Sequence, residues 1–258
     1  MKSLRAPILG ILLICIGAAS GAAQSIILLE GAPTADQPDP GAQEKVAPAA
    51  PTKLQGLALR TDRVFLLWQD NSNNETNFRI ETRVGGGAFT EIGTTPANNT
   101  GVFVSGLTPG TAYDFRVRAS NADGNSAYSN VATVTTRTFD APCTTTTDEM
   151  CLSNNRFRVQ ALYQTTGDIA GQAHVVKLTT ESGYLWFFTD TNIEVVVKVL
   201  NACGTPSNRY WVFAAGLTNV RVALAVTDTQ NGTSRVYLNP LNTAFPPIQD
   251  TGAFATCP

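Results

Sequence analysis

The sequence predicts an all-β protein: two antiparallel β-sandwich domains in tandem, the second stapled by disulfides. Three observations carry this. Apolar and polar residues alternate with a period of two through both halves of the chain, which sends successive side chains to opposite faces of a strand. Through residues 51–137 the alternation is broken by Gly, Asn and Pro clusters about every eight to twelve residues, the rhythm of short strands joined by turns. Four cysteines, Cys143, Cys151, Cys203 and Cys257, all lie in the second half.

The chain has 258 residues, of which 15% are charged, well below the roughly 25% usual for soluble domains. A net charge of −2 sets up no field that would gather nucleic acid or acidic lipid. The partners expected are a protein or a glycan, not a nucleic acid.

The first 23 residues read as a signal peptide. Lys2 and Arg5 precede an apolar run over residues 8–17, and Gly21-Ala22-Ala23 before Gln24 fits a signal peptidase site. The run is too short to cross a bilayer, which takes about 20 residues, so no membrane insertion is expected after cleavage. The mature protein is expected to be secreted, periplasmic or at the cell surface. Cys15 leaves with the signal, and an even count of cysteines in an exported chain reads as disulfides. Residues 24–50, rich in Ala, Pro, Gln and Gly, read as a flexible linker.

In residues 51–137, Val64, Leu66 and Trp68 share one strand face, as do Phe78 with Ile80 and Tyr113 with Phe115, Val117 and Ala119. The run Leu107-Thr108-Pro109-Gly110-Thr111-Ala112-Tyr113 has the form of a tyrosine corner. With the opening Ala50-Pro51, the Phe78-Arg79-Ile80-Glu81 strand and the closing Asn130-Val131-Ala132-Thr133-Val134, this segment resembles a fibronectin type III domain. The resemblance implies a seven-stranded sandwich used as a spacer or binding module. No Arg-Gly-Asp sequence is present, so an integrin contact does not carry over. In this family the strands bearing Phe65 and Phe103 are neighbours. Phe65, Leu67 and Phe103 should then meet on an outer face, a patch expected to dock against the second domain or another protein.

Residues 138–150 read as a linker, and residues 151–258 as a second β-sandwich domain of six or seven strands. Phe157, Val159, Ala161 and Tyr163 alternate, as do Ile193, Val195, Val197 and Val199, and Val220, Val222, Leu224 and Val226. Asn231-Gly232 ahead of Arg235-Val236-Tyr237-Leu238 marks a hairpin. Four cysteines allow three pairings, of which Cys143–Cys151 with Cys203–Cys257 is preferred. The first closes a short polar loop, and the second ties the chain end to the end of a central strand. Through Arg156-Phe157-x-Val159, Tyr184-Leu185-Trp186-Phe187-Phe188, Tyr210-Trp211-Val212-Phe213 and the ending Phe254-Ala255-Thr256-Cys257-Pro258, this segment resembles an uncharacterised C-terminal domain of exported bacterial proteins. The resemblance implies a bacterial source and export, and no activity.

Catalytic chemistry has few candidates. His174 is the only histidine, in a strand-like run, and neither a Gly-x-Ser-x-Gly elbow nor a phosphate loop occurs. No C-x-x-C pair is present to hold zinc. The polar run Asp70-Asn71-Ser72-Asn73-Asn74-Glu75 lacks the glycine and distant Glu of a calcium loop. No metal, cofactor or catalytic residue is therefore assigned, and the chain is read as not an enzyme. Glycoside hydrolysis by paired acids needs no motif, and Asp168, Glu181, Asp190, Glu194 and Asp228 are available to it. The stronger signal is aromatic. Tyr184, Trp186, Phe188, Tyr210 and Trp211 form the expected binding surface, because strands apolar on both faces leave one face either covered by another part of the chain or open as a platform. The function expected is that of an exported binding or scaffold protein, with an accessory role in carbohydrate recognition as the alternative.

Overall fold

Alternation with period two becomes strand after strand: in the computed structural model, which describes residues 45–258, every regular element is a β-strand. The expected signal peptide and residues 24–44 of the expected linker lie outside the described residues.

The first sandwich holds β1 (Thr52–Ala58), β2 (Arg63–Gln69), β3 (Asn77–Val84), β4 (Thr90–Pro96), β5 (Gly101–Ser105), β6 (Ala112–Asn121), β7 (Gly124–Asn125) and β8 (Ala132–Thr135). One sheet runs β1-β2-β5 and the other β4-β3-β6-β7, with β8 also on β6, all antiparallel. The inward residues are those the alternation marks: Val64, Leu66, Trp68, Phe78, Ile80, Tyr113, Phe115, Val117 and Ala119 form its core. The tyrosine corner is closed by the Thr108 amide, which donates to the Tyr113 hydroxyl at 2.9 Å.

The second sandwich holds β9 (Met150–Leu152), β10 (Phe157–Gln164), β11 (Ala170–Gln172), β12 (His174–Lys177), β13 (Ser182–Trp186), β14 (Val195–Ala202), β15 (Arg209–Gly216), β16 (Arg221–Asp228), β17 (Ser234–Asn239) and β18 (Ile248–Phe254). One sheet runs β11-β10-β16-β17 with β9 on β10, and the other β12-β13-β14-β15-β18. Ten strands stand where six or seven were expected. One cause is local: the run through residues 169–178 serves both sheets, with β11 pairing β10, β12 pairing β13 and buried Ala173 at the crossing. A strand that changes sheets keeps its period and reads as one. The Asn231-Gly232 hairpin connects β16 to β17 through residues 229–233, a longer loop than the two-residue turn that pair usually makes. Gly232 has φ +75°, and the Arg60 guanidinium of the first sandwich lies where a Cβ would go.

Residues 138–150, read as a linker, are built into the second sandwich: Met150 opens β9 in the core, and Cys143 is buried. The disulfides are Cys143–Cys151 and Cys203–Cys257, at sequence separations of 8 and 54. Restriction of the unfolded chain grows with loop length. Replacing Cys203 and Cys257 together by serine is therefore expected to cost roughly 4 kcal/mol, against roughly 2.5 kcal/mol for Cys143 and Cys151. Urea unfolding of the two double variants checks the order.

The two sandwiches are stacked face to face. β10 is buried along its whole length. Phe157, Val159, Ala161 and Tyr163 face the core of their own sandwich; Leu162 faces the first sandwich, where it meets Leu57, Leu59, Phe65, Leu67, Ala223 and Ala225 in a separate apolar cluster. The small side chains of Ala223 and Ala225 on β16 let the sheets approach. The outward polar residues of β10 are buried too, and Arg158 and Gln164 reach backbone carbonyls across the seam. Arg158 donates to the carbonyls of Leu59 (3.2 Å) and Asp140 (3.0 Å), and Gln164 to that of Lys53 (2.9 Å). Lys53 donates to Thr165 O at 2.7 Å, and Arg221 to Thr100 Oγ1. Burial lowers Arg158 and Arg221 to about 10 each, so both remain charged at neutral pH. The result is four sheets in a stack, within a single compact unit over residues 45–258.

Candidate functional site

Among the described residues, no layer covers the outer face of the β12-β13-β14-β15-β18 sheet. Its composition follows from register. Leu185 and Phe187 point into the core, so Tyr184 and Trp186 point out; Tyr210, Val212 and Ala214 point in, so Trp211 and Phe213 point out. Across the sheet, Val176, Tyr184, Val196 and Ala215 form one row, and Ser182, Lys198, Phe213 and Gln249 the next. Leu200 pairs with Trp211 one row further on. Same-face rows are about 6.6 Å apart along a strand. Trp186, Tyr184, Phe213 and Trp211 therefore make a diagonal stripe about 20 Å long.

The rings are partly buried and held. Trp186 lies against His174, with ring centroids 4.2 Å apart, and His174 Nδ1 is 2.7 Å from Asp148 Oδ1. Trp211 meets Phe213 edge to face at 6.1 Å. Between the two ends runs a shallow apolar groove of about 390 Å³, lined by Leu178, Val196, Lys198, Phe213, Pro247 and Ile248. Such a surface offers rigid ring faces with few hydrogen-bonding groups, and suits an extended ligand presenting C–H faces or apolar side chains.

Two residues of the expected surface lie elsewhere. Tyr210 is a core residue, 5% exposed, with its ring 4.8 Å from that of Phe157 and its hydroxyl accepting from Arg156 at 2.9 Å. Neighbours on a strand cannot share a face, so Tyr210 and Trp211 had to divide. Phe188 lies past the end of β13, edge to face with Tyr163 at 5.5 Å, and lines a different pocket among loops. The first-domain patch also divides. Phe65 and Leu67 are buried in the seam with Leu162, Ala223 and Ala225, whereas Phe103 lies tilted against Phe65, ring centroids 5.2 Å apart, and is 45% exposed at the sheet edge.

The acids available to paired-carboxylate chemistry are scattered. Asp228 is engaged by Arg156 at 2.7 Å and by the Thr256 hydroxyl at 2.6 Å, while Asp168 and Asp190 are exposed. Glu194 is the one acid lining the loop pocket that holds Phe188. The Asp70–Glu75 turn closes on itself: Ser72 donates its amide to Asp70 at 3.0 Å and its hydroxyl to Glu75 at 2.5 Å, and the Asn98 amide adds a bond to Glu75 from outside at 3.1 Å. Among the described residues no group of three His, Cys, Asp or Glu side chains is placed to hold a metal.

Comparison with known proteins places the first sandwich. The family model of the fibronectin type III domain matches residues 49–135. An alpha-amylase from Niallia circulans is 38% identical over 98 residues, covering 38% of this chain but 7% of that protein. Among solved structures, titin domains A168–A170 align at 26% identity over 35% of this chain and 32% of that one, with a TM-score of 0.32. The sixth fibronectin type III domain of human fibronectin type III domain containing protein 3 aligns at 22% identity over 41% of this chain and all of that one, with a TM-score of 0.34.

Proposed function

We propose that this chain, whose residues 49–135 are a fibronectin type III domain, is an exported, non-catalytic binding protein. The fibronectin type III module acts as a rigid base, and the outer aromatic face of the second sandwich makes the contact. The observation that carries the reading is the stripe of Trp186, Tyr184, Phe213 and Trp211 on a sheet face that no other layer of the described residues covers. Two disulfides support an oxidising compartment outside the cytoplasm.

The partner is a protein or a glycan, and one observation favours the glycan. The relative at 38% identity is an alpha-amylase, which shares with this chain a stretch amounting to 7% of its length. A stripe about 20 Å long accommodates an extended polymer better than a small molecule. Retention on insoluble polysaccharides tests this. The intact protein is expected to be retained on at least one polymer, and Trp186→Ala or Trp211→Ala to weaken retention roughly tenfold, since ring stacking contributes of order 1 kcal/mol beyond the area it buries. Retention unchanged in both variants, or none on any polymer, excludes the glycan.

A further inference from the structure

The second sandwich carries a separate pocket at one end, built by three loops, that the aromatic face does not use. Residues 187–194 supply Phe188, Asn192 and Glu194; residues 216–220 supply Leu217, Thr218 and Asn219; the β17–β18 loop supplies Ala244. The pocket volume is about 570 Å³. Backbone hydrogen bonds tie the loops to each other and to the sheet. The Leu217 amide donates to Glu194 O at 2.8 Å, Phe245 to Thr218 O at 3.1 Å, and Asn242 to Asn219 O at 2.8 Å.

Glu194 is the anomaly. It is 4% exposed, yet its carboxylate accepts one side-chain hydrogen bond, from Asn192, and no Lys or Arg among the described residues forms a salt bridge with it. Comparably buried carboxylates are compensated. Glu81 is bridged by Arg116 and Arg118, Asp228 by Arg156, and Glu75 accepts from Ser72 and the Asn98 amide. Neither Glu194 oxygen is both sealed from water and unpartnered, so the acceptor capacity that Asn192 leaves unused stays within reach of a counter-charge entering the pocket. Phe188, 44% exposed, lines the same pocket and adds the ring face that attracts cations.

The geometry points to a binding site for a cationic amine: the loop pocket takes an alkylammonium group, whose charge pairs with Glu194 and whose methylenes lie on Phe188 and Leu217. This inference is independent of the aromatic face and holds whether that face binds glycan or protein. The test is a backbone amide NMR titration of the full protein with n-butylammonium chloride, matched in ionic strength by sodium chloride, beside a titration with n-butanol. Saturable shifts confined to the 187–194 and 216–220 loops are expected for the ammonium and not for the alcohol. Glu194→Gln and, separately, the exposed-site variant Phe188→Ala are each expected to weaken the response, Glu194→Gln by roughly tenfold or more, as for loss of a charge-assisted hydrogen bond. Equal shifts from butanol, no saturable shift, or an undiminished response in Glu194→Gln would overturn the site. Should Glu194→Gln lose the dispersion of a folded spectrum, an undiminished response in Phe188→Ala overturns it equally.

Discussion

Truncating Phe65 and Leu67 together to alanine is expected to split one cooperative unfolding transition into two. Both side chains are essentially dry, at 3% and 0% exposure, and both lie in the seam between the sandwiches. Phe→Ala at a buried site costs about 3–5 kcal/mol and Leu→Ala about 2–5 kcal/mol. The seam also contains guanidinium-to-carbonyl and amide hydrogen bonds, but each contributes a net of only about 1 kcal/mol, more where the donor is charged, and the arginines first lose water. Burial of Leu57, Leu59, Phe65 and Leu67 contributes about 1.5–3 kcal/mol per side chain, so the apolar cluster outweighs the polar rim. With Leu162 the cluster has five large members, and removing Phe65 and Leu67 strips away much of what couples the halves. Calorimetry checks this: one transition in the parent, and in the double variant an earlier event for one half followed by a later one for the other. Two well-separated transitions in the parent would mean the seam does not couple the halves.

The same seam marks the limit of what the sequence makes legible. Alternation identifies inward and outward faces correctly for Val64-Leu66-Trp68, for Phe157-Val159-Ala161-Tyr163 and for Val195-Val197-Val199. It does not say whether an outward face is wet. On β10 the outward residues include Arg158, Gln160 and Gln164, which period and polarity together assign to solvent, and all three are buried. Their burial depends on a second sheet laid over them and on partners from separate segments, the Leu59 and Lys53 carbonyls and the Glu149 carboxylate among them, and neither leaves a local trace. On the opposite face, Phe65 and Leu67 were legible as a patch because large apolar residues at outward positions need a cover. Phe103 has the same chemistry but sits on the edge strand β5, and only the lateral extent of the partner sheet decides that it stays half out. The candidate aromatic face divides in the same way. Strand phase separates Trp211 from Tyr210 as soon as one of them is known to face inward. The turn that carries Phe188 away from Trp186 follows from the loop after β13, where period two no longer operates. The loop pocket had no sequence signal beyond a glutamate among β-branched and aromatic neighbours, because its walls come from three separate loops.

Asp228→Asn is expected to destabilise the second sandwich by about 3–5 kcal/mol, the cost of leaving a buried charge without its partner. Arg156 and Asp228 are 8% and 0% exposed, and the guanidinium donates to both carboxylate oxygens, from Nε at 3.1 Å to each and from Nη2 at 2.7 Å to one. The Tyr210 hydroxyl accepts from Nη1 at 2.9 Å and the Thr256 carbonyl from Nη2 at 2.5 Å, so the pair ties β10, β15, β16 and the C-terminal segment together beside Cys257. Burial pulls the Arg156 pKa down, but Asp228 and Tyr210 together more than reverse this, and the net shift is upward. Neutralising Asp228 removes that support, but a guanidinium's ordinary pKa lies so far above neutral that Arg156 stays charged, and the penalty cannot be relieved by proton loss. Arg156→Met separates this from simple loss of packing. If the pair acts as one unit, the double variant Arg156→Met/Asp228→Asn is less destabilised than the sum of the singles by about 1–3 kcal/mol, because the uncompensated cation is gone. Additive singles in urea unfolding would show that Asp228 contributes mainly through Thr256 and the Gln230 amide, to which it is also bonded. Retention of the coupling after the Cys203–Cys257 disulfide is reduced would show that the ion pair, rather than the covalent staple, holds the chain end against the core.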